Sequence, residues 1–441
     1  MLATDHHKAA NPNKRTAAMI ALNLHDAITA LSTSFDFVGI DEVQHGKRVG
    51  YMARAVAHHL GWCDEQCWKI LHAGMLHDCG VSRVREHRHL TETLEWDGEE
   101  EHCIRGANYL RVCPILAHFT DIVRYHHTRW AVLEQMVELD PVLRLEANLV
   151  YLVDRADVLL APWLDGGRLD SAIMWEKDAI VERLRGLAGT LFCPALVDAF
   201  AAVAESEAFW LGMEPLYLNE EMEALGRQIP ALCLSPAEMR ELALLFSRVV
   251  DAKSPYTDDH SRRVAAISRH LAGALGRDRD TLEMIELAGL LHDMGKLRVP
   301  DEIIEKPGAL TREEKACISR HSYDTYRILA RIFPSTPIPD WAGAHHENLL
   351  GQGYPFRRRA GEIDLETRII SVADIFQALL QDRPYRARLS GEEVMQRIEA
   401  LVDEGRLDAA VVSALRREFD TCVHLASGAD ALRDHFPELT A

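Results

Sequence analysis

Two stretches of this chain are nearly the same. "AGMLHDCG" at 73–80 and "AGLLHDMG" at 288–295 agree at six of eight positions. The likeness runs further. "HGKRV" at 45–49 and "HSRRV" at 260–264 share His, Arg and Val, and His45 to His77 spans 32 residues, as does His260 to His292. His102 to His126 is 24 residues, as is His321 to His345, and "NLVYLVD" ending at Asp154 answers "RIISVAD" ending at Asp374. Chance seldom preserves residue types and spacings together, so a whole domain has been duplicated. Whatever fold the first half adopts, the second must adopt too.

That fold reads as all-α. Apolar residues recur at three and four, as in "HSRRVAAISRHLAGAL", where His260, Val264, Ile267, Leu271 and Leu275 share one face. Alternating, strand-like stretches are scarce. The divide falls in "LNEEMEALGRQIPALCLSPAE", where Gly226 and Pro230 break the helical pattern. Beyond it, Ser235 offers an N-cap, Pro236 suits the first helical position and Glu238 closes a capping box. The expected domains are therefore 1–225 and 226–441.

Composition excludes several classes. A net charge of −19 over 441 residues argues against broad binding to polymeric nucleic acid or to an anionic membrane. No stretch of 18 residues lacks charge, and the N-terminal segment has no apolar core long enough for a signal peptide. Nine cysteines, with no CxxC pair, suggest a reduced, cytoplasmic chain.

In the second half the recurring polar positions are His260, His292, Asp293, His321, His345, His346 and Asp374. Taken singly, each has a plain explanation. His260 suits a hydrogen-bonded core histidine, His345–His346 a solvated helix end, and His25-Asp26 is an HD pair with none of the surrounding pattern. Jointly, five histidines and two aspartates make a mixed N/O donor set suited to Fe, Mn, Co, Ni or Zn rather than Mg or Ca. Seven donors are too many for one ion but adequate for two that share a carboxylate. Two ions roughly 3.5–4 Å apart are a standard device for in-line attack on a phosphodiester. The Gly-x-Gly-Tyr-Pro segment that follows reads as a turn, with Gly353 expected to supply a positive φ.

Residues 236–430 resemble an HD-GYP domain, a branch of the HD metal-dependent phosphohydrolases. The resemblance rests on "HSRRV", "LLHDMGKLRVPDEIIEKPGALTREE", "HSYDTYRIL", "HHENLLGQGYP", "SVADIFQAL" and "DRPYR". It implies hydrolysis of a bacterial cyclic dinucleotide, c-di-GMP or 3′3′-cGAMP, to a linear dinucleotide. It also implies two divalent transition-metal ions. His260, His292, Asp293 and Asp374 would hold one, and Asp293, His321, His345 and His346 the other. Asp293 and Lys296 would be catalytic, with Lys296 reaching the scissile phosphate or its bridging water. Lys296, Tyr354, Arg383 and Arg386 would contact substrate, with Lys306, Arg357, Arg358, Arg359 and Arg388 nearby. Some members take a third metal through a glutamate at the position of Tyr256, so two ions are expected here. The implied partner is a small cyclic dinucleotide, with neither polymeric nucleic acid nor membrane; a homodimer is left open.

The first half carries the same seven types at His45, His77, Asp78, His102, His126, His127 and Asp154, a second candidate metal site. It lacks the accessories. Val81 stands where Lys296 stands, and "HHTRWAVLEQM" has no GYP turn. A linear product with a 5′-phosphate would suit a phosphomonoesterase in this half. The competing readings are a catalytically silent nucleotide-binding or scaffold HD protein, and an HD-type 5′-nucleotidase.

Overall fold

The computed structural model describes residues 20–36, 44–81, 86, 100–165, 168–253, 259–381 and 388–428. Helices dominate. In the first half they include α1 (Leu24–Asp36), α2 (His45–His59), α3 (Asp64–Leu76), α4 (Glu100–Arg111), α5 (Thr120–Tyr125) and α6 (Pro141–Leu160). In the second they include α7 (Pro236–Asp251), α8 (His260–Ala274), α9 (Arg279–Leu291), α10 (Arg312–Ile332), α11 (Ile338–Gly343) and α12 (Leu365–Leu380). Strands among the described residues are confined to two small antiparallel ribbons. β1 (Ile20–Leu22) pairs with β4 (Leu232–Leu234), and β2 (Leu164–Asp165) with β3 (Arg168–Leu169).

The duplication is visible in the helices. α2 and α8 each have 15 residues, and α3 and α9 each have 13. In both halves the HD pair follows directly on the second of these helices, and the next glycine turns the chain against the following histidine helix. A β-carbon on Gly80 would collide with the carbonyl of His102, and one on Gly295 with the carbonyl of His321. Only glycine allows that approach. The capping box expected at the start of α7 is formed. The Ser235 hydroxyl accepts from Glu238 N at 3.3 Å, and the Glu238 carboxylate accepts from Ser235 N at 2.8 Å.

The halves are not strung on a free linker. A helix over Pro215–Gly226 ends where the pattern breaks, and the chain then runs into β4, whose partner β1 lies at the far end of the sequence. Helix α1 packs on α2 and α3 and also along α10. The two halves therefore share an interface made by the N-terminal segment, which periodicity did not foretell. No helix is long and apolar enough to cross a membrane among the described residues.

Candidate metal centres

The second half builds its centre from the ends and middles of five helices. His260 opens α8, His292 and Asp293 follow α9, His321 sits within α10, His345 and His346 follow α11, and Asp374 sits within α12. Backbone carbonyls aim the rings. Nδ1 of His292 lies 2.8 Å from the carbonyl of Gly289, that of His321 2.6 Å from Ile318, and that of His345 2.6 Å from Ala342. Each Nε2 thus points inward, the usual outer support of a metal-bound imidazole. Asp374 Oδ1 lies 3.2 Å from His260 Nε2 and 3.9 Å from His292 Nε2. Asp293 has its Oδ2 3.3 Å from His292, and its Oδ1 3.5 Å from His321 and 4.0 Å from His345. Its two oxygens face two different groups of donors.

The chemistry of this cluster fits a divalent cation. Among the described residues His260 Nδ1 and Asp293 Oδ1 are buried with no hydrogen-bond partner, and Nε2 of His260 and of His292 face the Asp374 and Asp293 carboxylates. Buried polar atoms rarely stay unsatisfied without a reason. Burial pushes the imidazolium form of His321 down to about 3 and of His346 to about 4, with His345 also well below its ordinary value. These rings are neutral and keep lone pairs for ligation. The carboxyl of Asp293 is held well below the usual range: burial opposes this, but His292 and Lys296 outweigh it. Donor atoms of His260, His292 and Asp374, of His292, Asp293 and His345, and of His321, His345 and His346 form three groups tight enough to hold ions.

Lys296 lies beside the centre. Its Nζ donates to Asp293 Oδ2 at 2.5 Å, and its side chain is one-quarter exposed. The GYP turn closes over His346, with the Tyr354 ring centroid 4.9 Å from that of His346. Burial raises the Tyr354 phenol above its ordinary value, so it stays protonated. The turn is not built as expected. The positive φ angles fall at Gly351 (72°) and Arg357 (59°), not at Gly353, where a β-carbon would instead run into the His346 carbonyl. The organiser is Glu347, buried beside the two histidines. Its Oε1 accepts from Phe356 N at 2.6 Å and Arg357 N at 2.9 Å, and its Oε2 from Arg358 N at 3.1 Å.

The expected rim of cations is only partly realised. Lys306 is paired with Glu314 at 2.7 Å, and Arg358 with Asp340 at 2.6 Å while lying over the Phe356 ring. Arg357 and Arg359 are exposed. Arg383, Arg386 and Tyr256 lie outside the described residues.

The first half also brings its seven residues together. Asp78 Oδ2 lies 3.3 Å from His77 and 3.7 Å from His45, and its Oδ1 3.3 Å from His102 and 3.9 Å from His126. Asp154 lies 3.5 Å from His45, 3.8 Å from His77 and 3.8 Å from His127. Around this matching set the polar neighbours differ. Arg155, buried, donates to Asp154 Oδ2 at 2.7 Å. His45 Nδ1 lies 2.7 Å from Asp157, which accepts from Arg48 at 2.6 and 2.8 Å. Burial would push His45 down, but Asp157, Asp154 and Asp78 hold its imidazolium at about 10. Cys103 Sγ joins from α4, 3.6 Å from His102 Nε2. Sequence matching missed Cys103, Arg155 and Asp157 because the twin has Ser322, Ile375 and Gln377 in those places, so no repeat flags them.

Comparison with known proteins gives the family and the fold. Two HD-domain family models match, one over residues 43–160 and another over residues 245–411. A Vibrio cholerae protein named 3′3′-cGAMP-specific phosphodiesterase 1 is 38% identical over 403 residues, covering 90% of this chain and 92% of its own. The chain belongs to the HD-GYP family. As an HD-GYP protein with a second HD domain, it is also similar over 46% of its length to RpfG of Xanthomonas campestris, named a cyclic di-GMP phosphodiesterase response regulator. That match is 34% identical and covers 56% of RpfG. The fold is shared with the solved V. cholerae phosphodiesterase V-cGAP3, at TM-score 0.62 and 22% identity, covering 91% of this chain and 98% of that one. The HD-GYP reading of the second half and the all-α, duplicated architecture both stand.

Proposed function

We propose that the second half is a phosphodiesterase opening a bacterial cyclic dinucleotide to the linear, 5′-phosphorylated product. The observation that carries this is Asp293, whose two oxygens face separate groups of inward-aimed histidines, with Lys296 at its edge. In this reading His260, His292, Asp293 and Asp374 hold one ion, and Asp293, His321, His345 and His346 the other. Bound there, two divalent transition-metal ions (Fe, Mn, Co, Ni or Zn) would supply a polarised water and the positive charge for in-line displacement at phosphorus. Lys296 keeps Asp293 ionised and, being partly exposed, can turn its ammonium toward a phosphate oxygen. Tyr354, held protonated against His346, offers a neutral hydroxyl and an aromatic face to the nucleotide. Arg383 and Arg386 are the remaining proposed substrate contacts.

Of the two substrates, 3′3′-cGAMP comes first. The relative matching nearly the full length of both chains is named for it, whereas RpfG, named for cyclic di-GMP, matches under half of this chain. In the first half, the same seven donors without the lysine or the GYP turn suit removal of the 5′-phosphate from the linear product. A silent scaffold needs no complete ligand set, and a nucleotidase acting on monophosphates alone needs no GYP turn.

The test is product analysis on the full-length protein loaded with Mn or Fe, given 3′3′-cGAMP and c-di-GMP side by side. The expected sequence is linear 5′-phosphorylated dinucleotide first, faster from 3′3′-cGAMP, then slower release of inorganic phosphate. A rate ratio below about threefold, under ~0.7 kcal/mol of discrimination, would mean that neither ring is selected. Accumulation of the phosphorylated linear product without phosphate release would remove the proposed role of the first half.

A further inference from the structure

We propose that the first-half centre contains a site for a soft divalent cation of the zinc type, bound by His102, Cys103, His126 and His127. The proposal shares with the previous section only the premise that the first half binds metal, and it concerns which ion and through which atoms.

The geometry is that of a coordination shell. The donor atoms of the four residues all lie within 4.8 Å of one another, and all four side chains are buried. His102 Nε2 and His126 Nε2 are 3.2 Å apart, and Cys103 Sγ is 3.6 Å from the first and 3.9 Å from the second. Tetrahedral zinc, with metal–nitrogen bonds of about 2.0–2.1 Å and metal–sulfur bonds of about 2.3 Å, requires N···N edges of about 3.3 Å and N···S edges of about 3.6 Å. The His102–His126 and His102–Cys103 edges match closely, and the Cys103–His126 edge is about 0.3 Å longer. Cys103 forms no disulfide and is 1% exposed, so it is screened from other thiol chemistry.

The twin supplies the contrast. After His321 comes Ser322, whose hydroxyl lies 3.4 Å from His321 Nε2. A neutral serine hydroxyl is a weak ligand for a zinc-type ion, so the twin offers no soft donor at that position. In the first half a thiol stands there. On metal binding it gives its proton to solvent and ligates as thiolate. Thiolate favours Zn²⁺ over Mn²⁺ or Mg²⁺. Asp78 Oδ1, 3.3 Å from His102, remains within reach as a further donor. One chain thus carries two centres of unequal softness, and the first should retain zinc under conditions in which the second exchanges its ions.

The test uses the full-length protein. Cobalt(II)-loaded wild type should show a sulfur-to-cobalt charge-transfer absorption in the near ultraviolet. That band should survive Asp293→Ala, which disrupts only the second centre, and vanish in Cys103→Ser, the residue the twin carries. Cys103→Ser should also weaken retention of the first-half ion by roughly tenfold or more. Should the serine variant fold poorly, X-ray absorption of zinc-loaded wild type gives an independent reading, a sulfur scatterer at about 2.3 Å. Metal in the first half with only nitrogen and oxygen neighbours, or a band that persists in Cys103→Ser, overturns the thiolate site alone. Metal uptake wholly abolished by Asp293→Ala overturns it together with first-half phosphatase activity.

Discussion

The two centres have the same seven donor types on the same helix ends, yet their charged surroundings are arranged in opposite ways. In the second half the cation is Lys296, partly exposed and able to leave Asp293 for a ligand. In the first half its counterpart is the buried Val81, and the cation is Arg155, buried and committed to Asp154. A flexible ammonium at a site's mouth can serve a passing phosphate, whereas a buried guanidinium fixes a carboxylate. The comparison teaches that the positions of the candidate ligands are dictated by the fold, which is why duplication preserved them. What a centre acts on is decided by neighbours that the fold leaves free to vary.

The largest expected effect separates the two halves directly. Asp293→Ala should lower ring opening by orders of magnitude with helicity unchanged, while Asp78→Ala should leave ring opening nearly intact and stop phosphate release. Chromatography of both products on each variant checks this. If either variant abolishes both reactions, the halves do not act separately.

A smaller effect is expected at Glu347, which has no first-half counterpart because Thr128 follows His127 there. Glu347→Ala removes the acceptor for three backbone N–H groups, and hydrogen bonds to a charged group contribute about 1.5–3 kcal/mol each. The GYP turn should loosen, raising KM roughly tenfold or more. Metal content and phosphate release from added linear dinucleotide should not change. Metal loss in this variant would mean that Glu347 supports His346 rather than the turn.

The smallest effect concerns stability. In the first half His72 Nε2 lies 3.0 Å from His25 Nδ1, and His25 Nε2 lies 2.9 Å from the Met222 carbonyl. Burial, helped by His25 and His118, pushes His72 down to about 3. The unfolded chain therefore takes up a proton below about 6.5 that the folded chain refuses. This stability is full above that pH and is lost as pH falls from 6.5 toward 3. At pH 5 the loss is about 2 kcal/mol from His72 alone. The corresponding second-half residue is Leu287. His72→Leu should accordingly flatten the acid limb of urea midpoints measured on chelated protein. An unchanged pH slope would show that this pair does not set it.

The helical class, the duplication and all fourteen candidate ligands were legible because each rests on repetition. Ligation demands particular residue types at fixed places, and the second copy exposes the coincidence. What was not legible occurs once. Cys103, Arg155, Asp157 and Glu347 make tertiary contacts through residue types that the twin does not repeat, and sequence spacing carries no information about them. The turn at Gly353 was misread for a related reason. A glycine required by crowding looks the same in sequence as one required by φ, and only the nearby His346 carbonyl tells them apart.

The pairing of Ile20–Leu22 with Leu232–Leu234 has a consequence for how the chain comes to its native state. β1 has its partner more than two hundred residues downstream, and α1 behind it rests partly on α10, later still. Closing so long a loop must be compensated by contacts made afterwards, which places such pairings late in folding. β1 and α1 therefore complete their packing only once α10 is in place. Removing β1 and α1 would unseat a surface of the second half that lies far from them in the linear sequence.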